Sequence, residues 1–249
     1  MKVLSVRDKL ILAGLFLSKF DEEGLKALGF GGFSEAFNVI ALSLEASPAS
    51  LKNYRDEFDP YFPNPRKGWH KRPIRGYCKS FMDQFGELSL EEFTLLIKSE
   101  IYDKGELAVI KDQIETQETT TFAKRLITGQ AAERYFEAVY KTEPMFQDCQ
   151  LENTTTLGCG FDFRMLTATS PFLAVEVKGM TAPAGTVQLT SKEYKAAELL
   201  RDRFFLFVVR NFSEKPCHTI FQDPVSSELV FEQRETVMVQ VSWSTFIGR

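Results

Sequence analysis

The chain has 249 residues, a formal net charge of −4 and 44% hydrophobic residues, 23 of them Phe. That length allows one large or two small domains with a substantial core, and the charge excludes a protein that is basic throughout. No apolar run reaches the ~18–20 residues of a membrane span, so no membrane partner is expected.

The segment Leu10–Leu17 is apolar, but charges lie close on both sides and no small-residue cleavage site follows, unlike a signal peptide. Cys78, Cys149, Cys159 and Cys217 show no CxxC spacing. That speaks against a cysteine metal site and suits a reducing, cytoplasmic setting.

Residues 1–102 read as a mainly α, DNA-binding domain. Val6–Phe20 carries apolar residues at helical spacing. Phe30-Gly31-Gly32-Phe33 breaks that pattern, with Ser34 as N-cap of a second helix bearing Phe37, Ile40, Ala41 and Leu44. Ser47 and Pro48 open a third helix, Ala49–Phe58, which is expected to expose Ser50, Lys52, Asn53 and Arg55. The pair resembles a helix-turn-helix unit, although Glu45 stands where a small turn residue is usual, and two simply packed helices fit as well.

Between Pro60 and Met82 there is no acidic residue, while Arg66, Lys67, Lys71, Arg72, Arg75 and Lys79 all fall there. Three prolines and a glycine make Pro63–Arg75 an irregular loop. Such a basic stretch can hold phosphate even in an acidic protein, and Trp69 within it can stack on a base or sugar. The DNA-contact set expected is Arg66, Lys67, Trp69, Lys71, Arg72 and Arg75, with Lys52 and Arg55 from the third helix. Ser89–Ile101 forms another amphipathic helix. Residues 103–124 read as a polar connector.

Residues 125–249 change to an α/β pattern, a mixed sheet with flanking helices. Gly129–Lys141 is a helix with Ala132, Tyr135, Phe136 and Val139 on its buried side. Cys159–Leu166 and Phe172–Val177 are strands, and Val187–Thr190 is a short strand. Thr190–Arg203 is a helix whose Thr190 and Glu193 have capping-box form. Phe204–Val209 is a continuous apolar run, as in a buried central strand. Thr236–Trp243 alternates like a strand.

Glu176 and Lys178 share one face of their strand, since side chains alternate at period two. With the hairpin turn centred near Thr169, Asp162 lies opposite Glu176, their Cβ atoms ~4.5–5.5 Å apart. Carboxylates that close repel unless a proton or cation intervenes. Mg²⁺ suits the position, because it commonly takes one or two carboxylates with waters and phosphate oxygens. Lys178 would then stabilise charge on an attacked phosphate. Glu-x-Lys alone carries little information: Glu193-Tyr194-Lys195 repeats it, but in a helix the two side chains diverge.

This order of elements, with these residues, resembles the PD-(D/E)XK nuclease superfamily. More narrowly, Gly129–Glu133, Gly160–Phe163, Val175–Gly179, Val187–Thr190 with Glu193 and Ala197, and Phe205–Val209 look like the NO VEIN C-terminal domain family, which is assigned to that superfamily. Phe161 replaces the superfamily's proline.

The resemblance implies a restriction-endonuclease-like fold with Asp162 and Glu176 as metal ligands, Lys178 as the catalytic lysine, and Glu133 as the first-helix carboxylate. It implies a Mg²⁺-dependent endonuclease of duplex DNA, with Mn²⁺ as a substitute, in a restriction or phage-defence setting. A homodimer is expected, since duplex cleavage needs two cuts. The alternative is a DNA-binding regulator with an inactive nuclease fold.

Overall fold

A computed structural model describes residues 4–101, 118–167, 171–235 and 245. Among the described residues six helices come before any strand, the first five being α1 (Val6–Leu28), α2 (Phe33–Ser43), α3 (Pro48–Phe58), α4 (Gly76–Phe85) and α5 (Leu90–Ile101). Ser5 and Asp8 close a capping box at the start of α1, which buries the run from Leu10 to Ser18. The helix continues past Phe20 through a kink at Asp21 (φ 47°) and ends at Gly29 in the left-handed region.

The second helix starts at Gly32, not at Ser34. Gly32 makes no side-chain cap bond; Glu35 Oε2 instead accepts the N–H of Gly31, the residue before the cap, at 2.7 Å. The third helix begins as expected, with the Ser47 hydroxyl accepting from Ser50 N and Pro48 in the first turn. Glu45, in the turn before it, takes a left-handed φ of 56°.

Helix α6 (Glu118–Val139) starts eleven residues before the expected Gly129, and residues 103–117 of the anticipated connector 103–124 lie outside the described residues. Among the described residues five strands follow, β1 (Gln150–Asn153), β2 (Phe163–Leu166), β3 (Leu173–Gly179), β4 (Phe204–Arg210) and β5 (Cys217–Gln222), with α7 (Ser191–Leu200) between β3 and β4. They form one sheet in the order β1-β2-β3-β4-β5. Only β3 and β4 pair in parallel; the other neighbours are antiparallel. This is an α/β region with a mixed sheet after a mainly α region.

Several strand boundaries differ from expectation. Cys159–Asp162 belongs to a turn, and the strand begins at Phe163. Val187–Thr190 forms no strand among the described residues. Strands β1 and β5 were not anticipated. The expected strand Thr236–Trp243 lies outside the described residues.

The two sheet faces have different covers. Val175, Val177, Phe205, Phe207 and Val209 join the main buried cluster with α6. There the Phe136 ring lies 5.0 Å from Phe163 and 4.9 Å from Phe207. On the opposite face, Ala174 and Phe204 pack with Ala197 and Leu200 of α7.

The main cluster also runs without a break into α1, α2, α3 and α5. Glu35, 3% exposed, stitches this junction. Besides Gly31 N, its carboxylate takes the Lys124 ammonium of α6 at 2.7 Å and the Thr181 hydroxyl beyond β3 at 3.0 Å. Asn38 donates to the Phe212 and Glu214 carbonyls, both at 2.8 Å. Removing one partner of a buried, hydrogen-bonded ion pair leaves the others unsatisfied. Glu35→Ala should therefore lower unfolding stability by about 3 kcal/mol in urea titration. Glu45→Ala, which removes an exposed pair with Arg134, should cost under about 0.5 kcal/mol. Equal costs would refute a stitching role for Glu35.

Candidate active site

The site lies on the α7-facing side of the sheet. Gly160, at φ 89°, turns the chain beneath the start of α7, where an added Cβ would meet Lys192 O at 2.7 Å. Only glycine suits both the conformation and the approach. The strand then enters β2 in register Phe163↔Val175, Arg164↔Ala174 and Met165↔Leu173. This is the register anticipated from the hairpin.

Asp162 lies one residue before the first of these pairs. Its backbone N–H donates to Val175 O at 3.0 Å, and its Oδ2 accepts the Val177 N–H at 2.8 Å. The carboxylate therefore bonds to the backbone of β3 beside Glu176.

Glu176 is 3% exposed. Its Oε1 meets the Lys178 ammonium at 2.6 Å. The same ammonium donates to Glu193 Oε2 at 2.7 Å. Glu193 is the N3 residue of α7, and its Oε2 also accepts the Thr190 N–H at 2.9 Å. One carboxylate thus caps a helix and holds the lysine. Sequence reasoning assigned Glu193 the cap alone. Its spacing from Thr190 was visible, but its contact with Lys178 depends on how α7 crosses the sheet.

Burial raises the Asp162 carboxyl to about 6, against the Val177 N–H and the Lys178 charge. Burial first, and then the Asp162 charge, raise Glu176 to about 9, against the pull of Lys178. For Lys178, burial would lower the pKa, but the Glu176 and Glu193 carboxylates outweigh it and the net direction is up. Burial, with one ammonium among three carboxylates, leaves Asp162 and Glu176 holding protons to higher pH than usual.

Residues 132–221 match the family model described as Protein NO VEIN, C-terminal. No curated protein and no solved structure matches the chain. The NO VEIN C-terminal match spans the last eight residues of α6 and nearly all of β1 to β5, and so includes Asp162, Glu176, Lys178 and Glu193.

Within this NO VEIN-like region the donor chemistry suits a divalent cation at Asp162 and Glu176. Two buried carboxyls that favour the protonated form when unaccompanied would be ionised by such an ion, and Mg²⁺ needs no more than one or two of them. Among the described residues no group of three His, Cys, Asp or Glu side chains could hold a metal ion. Glu133, half-buried on α6, therefore does not complete a three-carboxylate set with Asp162 and Glu176. Gln188 is exposed before α7. The histidines stay apart: His70 lies in the basic loop, and His218 sits between Tyr135 and Glu143.

The anticipated DNA-contact set divides sharply. Arg55 is not exposed on α3. It is 7% exposed, pairs with Asp56 at 2.5 Å, and lies over the Phe33 and Phe37 rings. Arg66 is bound to Asp59 at 3.0 Å and Asp21 at 2.6 Å. Arg72 and Arg75 both pair with the buried Glu57, which also accepts the Arg75 N–H at 2.8 Å. Those carboxylates lie outside the acid-free stretch in sequence and come back to it in space. Lys52, Lys67, Lys71 and Trp69 are exposed, and none of the three lysines has an ion pair among the described residues. Arg72 lies 4.3 Å from the Trp69 ring centre.

The raised carboxyl pKa values have a measurable sign. Between its ordinary 3.8 and about 6, Asp162 binds more proton in the folded state than in the unfolded state. Its contribution to stability is complete below that window and is lost as pH rises through it. Asn mimics the protonated form. In EDTA, Asp162→Asn should therefore gain stability relative to wild type between about pH 4 and about pH 8, read as the difference in Tm. A difference that does not change with pH would refute the shift.

Proposed function

We propose that this protein is a Mg²⁺-dependent endonuclease of the PD-(D/E)XK type acting on duplex DNA, in a restriction or phage-defence role. One observation carries the reading: Asp162, Glu176 and Lys178 converge on one sheet face, with Lys178 2.6 Å from Glu176. The NO VEIN C-terminal match over the same residues supports it.

Asp162 and Glu176 would hold the ion, which when bound supplies Lewis-acid polarisation of a phosphodiester. Lys178 presents its ammonium to the phosphate and offsets the negative charge that grows during in-line attack by water. The water oxygen bonds to phosphorus, the P–O3′ bond breaks, and the 3′ oxygen leaves with a proton, giving a 5′-phosphate. Glu193 keeps Lys178 charged and aimed across the sheet. The exposed Lys52, Lys67, Lys71 and Trp69 would hold DNA against the helical region, and a homodimer would cut both strands. Among the described residues no helix is long and apolar enough to cross a membrane.

A second reading is a DNA-binding regulator with an inactive nuclease fold. Lys178 paired with both Glu176 and Glu193, and the lack of a three-carboxylate group among the described residues, favour it.

Supercoiled plasmid incubated with Mg²⁺ separates the two readings. Wild type should nick or linearise it, EDTA should stop the reaction, and Lys178→Ala and Asp162→Ala should lose about 100-fold or more in rate. Binding without cutting of any DNA, modified or unmodified, would leave the regulator. For the helical face, Lys67→Glu with Lys71→Glu should weaken DNA binding and reduce the salt slope by about 2. An unchanged slope would remove that loop from the DNA contact.

A further inference from the structure

The sheet face that carries Glu176 and Lys178 continues into an apolar groove. Register pairs Lys178 with Val208 and Val208 with Thr219, and likewise Glu176 with Leu206 and Leu206 with Phe221. Side chains of paired residues share a face. Leu206, Val208, Thr219 and Phe221 floor a groove of about 460 Å³. One wall is the chain after β3, from Met180 to Val187, and the other is Leu229–Phe231. The second wall is fixed to α7 by the Phe231 ring, 5.8 Å from Tyr194.

Two cations flank the groove. Lys178 is outside its lining but stands on β3 beside the floor residue Val208. Arg210 is part of the lining. It is exposed and has no ion pair among the described residues; its guanidinium donates to Pro183 O at 3.4 Å. Lys178 and Arg210 are one strand and two residues apart, roughly 8 Å by strand spacing and rise. Two cations beside an apolar trough with Phe221 in its floor and Phe231 in one wall match the pattern of a nucleic acid strand, in which phosphates alternate with flat apolar bases.

We propose that this groove is a nucleoside subsite, which receives an unpaired base next to the phosphodiester held at Lys178. The proposal rests on the nuclease reading above and deepens it. A base inside a duplex has its faces stacked and its edge paired, so it has no bare face for Phe221 and Phe231. The strand must therefore be single, or locally opened so that one nucleotide leaves the stack. Arg210 would take the phosphate on the far side of that nucleotide.

The test is binding, not cutting. Fluorescence anisotropy in EDTA compares a labelled 15-nucleotide single strand, the same strand with consecutive abasic positions, and its blunt duplex. The full chain should bind the single strand at least tenfold more tightly than the other two. Phe221→Ala and Arg210→Glu should each cost about tenfold for the single strand and leave the duplex unchanged. Arg210 is exposed, so its variant remains informative if Phe221→Ala fails to fold.

Base-dependent binding without plasmid cutting would uphold the subsite and overturn the nuclease. Plasmid cutting with equal affinity for intact and abasic strands would overturn the subsite and keep the nuclease. If the groove variants abolish a dimer in sedimentation but leave DNA affinity intact, the groove belongs to a second copy and the proposal is wrong.

Discussion

The Lys178 ammonium, held between Glu176 and Glu193, is the contact on which the site's geometry depends. It joins β3 to the first turn of α7 through a single cation. The two partners differ in what they give up. Glu176 is fully committed to the sheet face, whereas Glu193 Oε2 also satisfies an otherwise orphan N–H at the helix start. Moving Lys178 therefore disturbs where α7 begins, and loosening α7 frees Lys178. Asp162 completes the arrangement from the other side, anchored through a backbone N–H and not through another side chain.

That cluster is affordable only because the opposite face of the same strands is wholly apolar. Val175 and Val177 alternate with Glu176 and Lys178, and pack with Phe136, Phe163 and Phe207 under α6. Gly179 lets α6 approach the end of β3, since a Cβ there would meet Thr128 O at 2.8 Å. The helical region joins the same core, and Glu35 binds the loop before α2, α6 and the chain after β3 in one carboxylate. A buried carboxylate with three donors of different elements fixes orientation in a way that apolar contact alone does not.

Much of this was legible before the fold was known, and the exceptions have physical causes. The β2–β3 register followed from period-two alternation and a short hairpin, because one face of both strands is buried and a one-residue slip would expose it. The end of the strand at Asp162 was not legible. Gly160 turns the chain there, and a carboxylate bonded to a main-chain N–H leaves no periodic trace. Strands β1 and β5 escaped notice because both are edges, and Gln150–Asn153 has neither an apolar run nor alternation. Glu193 was read from its local spacing to Thr190, and local spacing reports nothing about a lysine on a neighbouring strand.

The basic stretch shows the same limit in charge. Along the chain, Pro60–Met82 has only cations. In space, Asp21, Glu57 and Asp59 return to it and neutralise Arg66, Arg72 and Arg75. Guanidinium groups went to the buried carboxylates because a planar fork can satisfy both oxygens. The lysines, each a compact hydrated charge, remained at the surface. An arginine-rich run is thus mainly a device for folding the loop onto α3, with Gly68 at φ +49° where a Cβ would strike Asp56 O. Of the expected contact cations, Lys52, Lys67 and Lys71 are exposed and have no ion pair among the described residues. Any DNA footprint on the helical region should follow those three lysines and Trp69 more closely than the arginines that dominate the sequence.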